Sequence, residues 1–176
     1  MAFLVTLTEE SGNWEVPNGV THADIFLVGG GGSGVNGGGG GGYTETFLNI
    51  KLDEVPGYSS GSIPYVVGRG GAAISGLTEN VTGNDGGFTR FGDDTTYQAA
   101  GGKGAYNSDG NDVREGGDGG SGGGASASTD QETGDGGSDG ANGGSGQRGR
   151  GGSGQGTTTK AFGEAEGDLY AGGGAP

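Results

Sequence analysis

Glycines that recur at every third residue are the feature that most limits what this chain can fold into. Seven of them follow one another in the second half of the chain: Gly134, Gly137, Gly140, Gly143, Gly146, Gly149 and Gly152. A shorter series has the same spacing: Gly31, Gly34, Gly37 and Gly40. Three residues per turn is the repeat of the polyproline II helix, which makes no internal hydrogen bonds. The spacing therefore predicts extended helices with one side free of Cβ atoms.

Such a bare side lets another helix approach closely enough for backbone N–H groups to reach backbone carbonyls. Collagen uses this contact between three chains and relies on proline for stiffness, but residues 134–154 contain no proline. We therefore predict a bundle of glycine-rich polyproline II helices, called polyglycine II, formed within one chain. A flexible glycine–serine linker is the alternative.

Apolar residues are concentrated in the first hundred residues, which limits where a side-chain core can form. Glycine supplies 51 of the 176 residues, and hydrophobic residues make up only 28%. Nearly all of the Phe, Tyr, Leu, Ile and Val residues precede residue 100, and a few recur near Phe162 and Tyr170. A modest core is expected in the first half, whereas order in the second half needs another source to offset chain entropy.

Several short segments of the first half have the composition of β-strands. Residues 3–8 alternate between apolar and polar side chains, and Ile25 to Val28 is a run of strand-forming residues. The full set of predicted strands is 3–8, 14–16, 20–28, 43–52, 63–68, 88–91 and 96–99. Turn residues such as Pro17-Asn18-Gly19 separate them, and no window has helical periodicity. These features predict a small β-sandwich.

Together the patterns predict an all-β fold: a small β-sandwich with an attached bundle of polyglycine II helices and essentially no α-helix. Residues 1–100 are predicted to form the sandwich scaffold, with a glycine-rich insertion at 29–42 in which 11 of 14 residues are Gly. Residues 101–176 are predicted to form the bundle, and 157–176 to close it. Polar stretches that include 106–115 and 125–133 interrupt the glycines, and we interpret them as loops between rods.

The charge of the chain argues against several classes of partner. There are 22 acidic and 8 basic residues, which gives a formal net charge of −14. Nucleic-acid binding needs clustered Lys and Arg, so the short Arg148-Gly149-Arg150 element is better read as a source of salt bridges. No stretch approaches the about 20 apolar residues of a membrane span, and the N-terminus lacks the basic region of a signal peptide. We expect a soluble protein made in the cytoplasm.

No catalytic signature is present. The single histidine, His22, lies in a predicted strand, and no nucleophile motif accompanies it. We therefore expect no enzyme activity, no catalytic residues and no cofactor. Four carboxylates lie among glycines, where a hard cation can find oxygen ligands: Asp109, Asp112, Asp135 and Asp139. A structural calcium ion is the alternative to solvated turns there, but no standard calcium-loop spacing is present.

An ordered set of motifs resembles the glycine-rich domain of phage tail fibres. It opens with Trp14-x-Val16-Pro17-x-Gly19-Val20-Thr21 and with Asp24-Ile25-Phe26-Leu27-Val28 leading into Gly29. It continues with Gly42-Tyr43, Val66-Val67-Gly68-x-Gly70-Gly71, Phe91-Gly92 and Ala100-Gly101-Gly102. The quoted motifs span residues 14–102 in order. The resemblance implies a β-sandwich with polyglycine II helices, as in distal adhesins whose tip loops contact a bacterial surface receptor.

The resemblance also implies a function: a non-catalytic virion protein that presents loops at a tail-fibre tip or virion surface for host attachment. The predicted contact residues are Tyr106, Asp109, Asn111, Asp112, Arg114, Ser126 and Asp130. The expected partners are other virion proteins and a bacterial surface receptor, without nucleic acid or membrane insertion. The expected location is the virion, after synthesis in the host cytoplasm.

Two other functions stay open at this point. The candidate loops are polar and acidic, whereas interface anchors are often aromatic, so a capsid decoration or fibre-joining protein is the first alternative. An ice-binding protein is the second, because known polyglycine II bundles include antifreeze proteins. Thr157-Thr158-Thr159 is the only threonine cluster of the glycine-rich half that could serve such a surface.

Overall fold

The structure is a computed structural model that describes residues 4–35, 37–75, 81–107, 114–126, 149–150, 160–164, 168, 170–171 and 173–174. These residues are nearly all in β-strands and extended segments and contain no α-helix. Their helical pieces are two three-residue 3-10 turns, Leu52–Glu54 and Ala161–Gly163. The predicted all-β fold is confirmed.

Strands in the described residues form four antiparallel groups. They are β1 (Ser11–Glu15), β2 (His22–Val28), β3 (Thr44–Lys51), β4 (Ser62–Val66), β5 (Val81–Thr82), β6 (Thr89–Phe91), β7 (Gln98–Ala99), β8 (Tyr106–Asn107), β9 (Arg114–Glu115), β10 (Ala125–Ser126) and β11 (Gly149–Arg150). The order β1-β4-β6-β7 makes the largest sheet, and β2 pairs with β3. β5, β8 and β9 make a third sheet, and β10 pairs with β11.

The four-stranded sheet and the β2–β3 pair form the sandwich, and their facing side chains make its core. Alternation along β2 turns Ile25 and Leu27 inward, where they meet Ile63 of β4, Phe91 of β6 and Ala99 of β7. All five are buried. The 3-10 turn after β3 and the residue that follows it add two further buried apolar side chains, Leu52 and Val55. Hydrophobic burial of this kind is the main stabilising force of a β-sandwich.

Local sequence explains how the sandwich strands are joined. Gly19 has a φ of 82° in the turn where the Val20 N–H donates to the Pro17 carbonyl at 3.0 Å. Asn49, with a φ of 54°, lies next to a shift in the β2–β3 register between Ala23 and Ile25. The Asp24 carboxylate accepts a hydrogen bond from the Asn49 N–H at 2.7 Å. Asn tolerates this left-handed backbone better than most residues, so it suits the bulge.

The strand predicted at residues 3–8 is wrong over the part that the structure describes. Residues 4–8 belong to no strand. Leu7 packs against the core, but Leu4 leaves 78% of its surface exposed and Val5 is also exposed. An alternating pattern is not sufficient for a strand, because a strand also needs a neighbouring backbone with which to pair. Each other predicted strand overlaps an observed one, with ends shifted by a few residues.

Candidate functional site

Glycine-rich segments leave the sandwich at the ends of its strands and run side by side. We call them rod 1 (29–35), rod 2 (37–43), rod 3 (68–71), rod 4 (83–87), rod 5 (100–105) and rod 6 (116–120). Segments 121–124 and 173–174 lie alongside rod 2, to which both are hydrogen-bonded. Residues from both halves of the sequence therefore share one hydrogen-bonded network, while the division of the chain at residue 100 stays a prediction.

Backbone hydrogen bonds in the rods repeat every third residue. In rod 1, Gly29 and Gly32 donate to rod 2 at 2.9 and 2.8 Å, whereas Gly30 and Ser33 both donate to rod 4 at 2.9 Å. In the other rods, too, two N–H groups that are three residues apart donate to the same neighbouring rod. These pairs of donors are Gly40 and Tyr43 to rod 5, Gly83 and Gly86 to rod 5, Gly102 and Ala105 to rod 1, and Gly117 and Gly120 to rod 2. A β-ladder would repeat every second residue, so the rods have the three-residue turn of polyglycine II.

The rods are bonded in two dimensions. Rod 2 shares backbone hydrogen bonds with rods 1, 5 and 6 and with segments 121–124 and 173–174. Rod 5 shares them with rods 1, 2, 4 and 6. A strand in a sheet has at most two hydrogen-bonded neighbours, because its donors point to two sides only. The arrangement is therefore a bundle rather than a sheet.

Close contact in the bundle leaves no room for side chains on the inner faces. A Cβ built on Gly30 would lie closer than 3.0 Å to the Arg69 carbonyl oxygen, and one on Gly102 would approach the Gly40 oxygen as closely. The same overlap with backbone occurs at Gly29, Gly32, Gly39, Gly42, Gly68, Gly71, Gly83, Gly86, Gly101, Gly104, Gly117, Gly119 and Gly123. The obstructing atoms belong to backbone that is itself fixed by hydrogen bonds, so these positions require glycine.

The glycines predicted to be structural differ in what surrounds them. Gly40 would overlap the Asp118 carbonyl and Gly34 the Gly37 carbonyl, both closer than 3.0 Å. Gly31 has room, because its nearest neighbour would be the Gly40 oxygen at 3.5 Å. The Gly37 carbonyl accepts the Val35 N–H at 3.1 Å. In the longer series, Gly149 belongs to β11, and the others lie outside the described residues: Gly134, Gly137, Gly140, Gly143, Gly146 and Gly152.

Sequence reasoning missed Gly29, Gly30, Gly32, Gly39 and Gly42 as packing positions. In rod 1, two of the three positions of a turn need glycine, as at Gly29 and Gly30 but not at Gly31, whereas the spacing predicted one in three. With 11 glycines in residues 29–42, the sequence holds no contrast from which the inward positions could be identified.

Antiparallel pairing that begins in the sandwich continues into the bundle without a change of register. Val28 of β2 lies opposite Thr44 of β3. At the next residue on each side, the Gly29 N–H donates to the Tyr43 carbonyl at 2.9 Å. Two further bonds keep the same register: the Gly32 N–H donates to the Gly40 carbonyl, and the Val35 N–H donates to the Gly37 carbonyl. Only the spacing of the bonds changes, from two residues to three.

Rods 4 and 5 carry a second register from one sheet to another. Thr89 lies opposite Ala99 where β6 pairs with β7. Two rod bonds follow, Gly86 to Gly102 at 2.9 Å and Gly83 to Ala105 at 2.7 Å. Beyond them Thr82 lies opposite Tyr106, where β5 pairs with β8. We call the β5–β8–β9 sheet at this far end the distal sheet.

Three of the predicted contact residues are described by the structure, and they lie in the distal sheet or beside it. Tyr106 on β8 is 40% exposed, and Arg114 on β9 lies opposite Asn107. Ser126 ends β10, which pairs with β11 and lies next to β9. Tyr106 and Arg114 are thus brought into one sheet, with Ser126 on a neighbouring strand. The other predicted contacts lie outside the described residues: Asp109, Asn111, Asp112 and Asp130.

One ion pair joins rods 4 and 5 at their surface. The Lys103 Nζ lies 2.6 Å from Asp85 Oδ2, and the Gly104 N–H donates to Asp85 Oδ1 at 3.0 Å. The hydrogen bond from Lys103 is the main cause that holds the pKa of Asp85 below its usual range, and the hydrogen bond from the Gly104 N–H adds to it. The Asp85 carboxylate in turn raises the pKa of Lys103. Both side chains are half exposed or more, so the pair adds little stability.

A closing segment returns from the bundle to the sandwich. The ring of Phe26, on the outer face of β2, lies 6.1 Å from that of Phe162 and 5.2 Å from that of Tyr170. The chain then runs along the bundle, where Gly174 donates to the Gly39 carbonyl at 2.8 Å. Residues near the C-terminal end of the sequence therefore contact both parts of the molecule.

Few features of the described residues suggest chemistry. His22 is exposed, and its Nδ1 lies 2.9 Å from the Thr21 hydroxyl. No group of three His, Asp or Glu side chains in the described ranges could hold a metal ion. The four aspartates considered for calcium lie outside those ranges. Among the helices that the structure describes, none is long and apolar enough to cross a membrane.

The fold and the bundle define the class of protein: an all-β scaffold in which glycine backbone replaces side chains as packing material. A sequence model described as a glycine-rich domain matches residues 6–176. The chain therefore belongs to the glycine-rich domain family. No curated protein and no solved structure matches it.

Proposed function

We propose that this chain is a non-catalytic structural and adhesive protein of a phage virion. In this proposal the rods hold the distal sheet and its loops at a tail-fibre tip or virion surface, for attachment to a host cell. Membership of the glycine-rich domain family and the motifs that resemble tail-fibre domains support it.

The observation that carries the proposal is how the loop ends are held. The segment after Asn107 returns at Arg114, and that after Ser126 returns at Gly149, so each begins and ends on paired strands. The strands of the first segment continue into rods 5 and 6, which are bonded to several other rods. Loops with fixed ends lose less conformational entropy on binding. A stiff bundle is therefore suited to presenting them.

The proposed contact residues keep their roles in this scheme. Tyr106 is the described aromatic residue on the distal sheet, and exposed aromatic side chains often contribute much of the binding energy of an interface. Arg114 and Ser126 accompany it, and Asp109, Asn111, Asp112 and Asp130 are proposed within the connecting segments. The partners are other virion proteins and a bacterial surface receptor. The net charge of −14 favours a receptor surface that is not itself strongly anionic.

Binding of the purified protein to host cells tests the proposal. We expect Tyr106→Ala to reduce the amount of protein bound severalfold. Tyr58→Ala is the matched control, because Tyr58 is 37% exposed and follows β3 at the end of the sandwich away from the rods. Equal binding by the two variants and the unchanged protein would exclude the distal sheet as the contact surface.

Labelling of intact particles with antibodies against the purified chain tests the location. Label at the fibre tips supports host attachment, and label spread over the capsid supports the decoration alternative. Particles that carry no label would reject both virion roles.

The fibre-joining alternative has one observation in its favour. Leu48 on β3 is 60% exposed, and Phe88 beside β6 is also exposed, so the sandwich offers apolar surface to a neighbouring protein. Two other large apolar side chains near the start of the sequence were candidates for this surface: Trp14 is half-buried with its ring 5.8 Å from that of Phe91, and Phe3 lies outside the described residues. Under this alternative Leu48→Asp would prevent incorporation into particles, whereas Tyr106→Ala would not.

A further inference from the structure

We propose that the glycine bundle is a spacer that sets the register of the distal sheet. In this inference its length can change only by whole three-residue turns added together to rods 4, 5 and 6, the rods that join the distal strands. It does not depend on a virion role, because it concerns how the two β regions are joined.

The first step is that the strands at both ends of rods 4 and 5 pair in the same antiparallel register. Thr89–Ala99 at the sandwich and Thr82–Tyr106 at the distal sheet are partners in the same antiparallel alignment. The bonds from Gly86 to Gly102 and from Gly83 to Ala105 connect them. A change of alignment in the rods would therefore change which residues pair in the distal sheet.

The second step is that the distal strands are too short to set their own pairing. β5, β8 and β9 have two residues each. Isolated strand pairs are marginal in water even when they are longer. Their alignment must therefore come from rods 4, 5 and 6, of which rods 4 and 5 lead into β5 and β8.

The third step is that the rods constrain rotation as well as alignment. The Gly30 and Ser33 carbonyls of rod 1 accept hydrogen bonds from the N–H groups of Gly102 and Ala105 in rod 5, at 2.9 and 3.0 Å. Because a polyglycine II turn has three residues, one added residue turns every later N–H by a third of a turn. Three added residues restore its direction and lengthen the rod by about 9 Å, at about 3.1 Å per residue.

Two insertion variants that differ only in length test the proposal. Glycines are inserted at one level of the bundle, between Asp85 and Gly86 in rod 4, between Gly102 and Lys103 in rod 5, and between Asp118 and Gly119 in rod 6. One variant receives a single glycine in each rod, and the other receives three. Both keep rods 4, 5 and 6 aligned with one another, but only the second keeps the direction of the N–H groups.

Amide hydrogen exchange and contacts between strands are measured by NMR in the full chain. With three glycines per rod, we expect the Gly83 amide to stay protected and the Thr82–Tyr106 contact to remain. With one glycine per rod, we expect the contact to be lost and exchange at Gly83 to be about tenfold faster or more, because its hydrogen bond is gone. Amides of β2 and β3 report in the same samples whether the sandwich is folded.

Loss of the distal contact in the single-glycine variant alone supports the proposal, whether or not its sandwich also unfolds. Retention of the contact in both variants would overturn it, because the rods would then not set the register. Loss in both would also overturn it, because whole turns could not then be added.

Discussion

The sandwich and the glycine bundle fill their interiors in opposite ways, the first with side chains and the second with backbone. In the sandwich, Ile63 and its neighbours fill the space between two sheets with side chains. In the bundle, the space is so small that a Cβ on Gly102 would overlap the backbone of rod 2. Stability comes mainly from apolar burial in the first case and from backbone hydrogen bonds and close contact in the second.

The difference teaches that a buried position can be sensitive to mutation for two contrary reasons. Removing atoms from the sandwich core leaves a cavity, whereas adding atoms to the bundle core forces backbones apart. Substitutions chosen in pairs, one buried and one exposed, can separate these two mechanisms.

The largest effect is expected in the sandwich. Ile63 is completely buried, so Ile63→Ala removes apolar contacts and leaves a cavity. We expect the free energy of unfolding to fall by about 2–5 kcal/mol, as measured by urea denaturation. Leu48→Ala, at an exposed position of β3, is the control and should change it by less than about 0.5 kcal/mol. Equal losses at the two sites would contradict the assignment of the core.

The next effect is expected in the bundle and has the opposite cause. Gly102→Ala adds a methyl group that overlaps the carbonyls of Gly40 and Gly41 in rod 2. We expect a loss of about 1–3 kcal/mol in the free energy of unfolding. Gly31→Ala has only an ordinary contact with the Gly40 oxygen at 3.5 Å and should be tolerated. A Gly102→Ala protein as stable as the unchanged chain would show that the rods are not closely packed.

A smaller effect is expected where the closing segment joins the two regions. Phe162→Ala removes the ring contact with Phe26, and aromatic pairs contribute about 0.5–1.5 kcal/mol beyond their buried area. We expect a loss of about 1 kcal/mol in thermal or urea unfolding, with faster amide exchange at Gly174. Tyr58→Ala is the control. It removes an aromatic side chain, similar in exposure to Tyr106, at the end of the sandwich away from the rods, so it should not alter amide exchange at Gly174.

The smallest effect is expected at the surface ion pair between rods 4 and 5. Because the folded protein holds the pKa of Asp85 low, the pair stabilises the fold above the ordinary Asp pKa. That contribution is lost as the pH falls through the lower folded value. Asp85→Asn should therefore be slightly less stable than the unchanged protein at neutral pH and equally stable in strong acid. Unfolding curves at several pH values and salt concentrations measure this, with Glu45→Gln as the control. A difference that grows on acidification would refute it.

The sandwich strands were largely predictable because side-chain alternation and turn residues mark them. Residues 20–28 and 43–52 were predicted as strands and correspond to β2 and β3. Residues 4–8 have the same kind of pattern and form no strand, because pairing depends on a neighbour that no local pattern encodes. The very short strands of the distal sheet, such as β5 and β8, carry no alternation that could be recognised.

The bundle was predictable in kind but not in detail. The period of three was visible at Gly31, Gly34, Gly37 and Gly40, and hydrogen bonds of that period are present in rods 1 and 2. Which rods are neighbours was not visible, because glycine has no side chain whose chemistry could record a partner. The participation of Gly68, Gly71, Gly83 and Gly86 was missed for the same reason. At the candidate site, Tyr106 and Arg114 were named from composition alone, and their shared sheet followed only from the register of rods 5 and 6.

The bond from Gly174 to Gly39 has a consequence for the order of events during synthesis. Rod 2 is made early, yet one of its hydrogen-bonded neighbours, Gly174, lies far along the chain from it. Until Gly174 has been made, the Gly39 carbonyl lacks this backbone donor. Contacts between such distant parts of a chain also form slowly. This part of the glycine core therefore cannot be completed until residue 174 has been made, and a nascent chain that stalls earlier would lack the bond to Gly39.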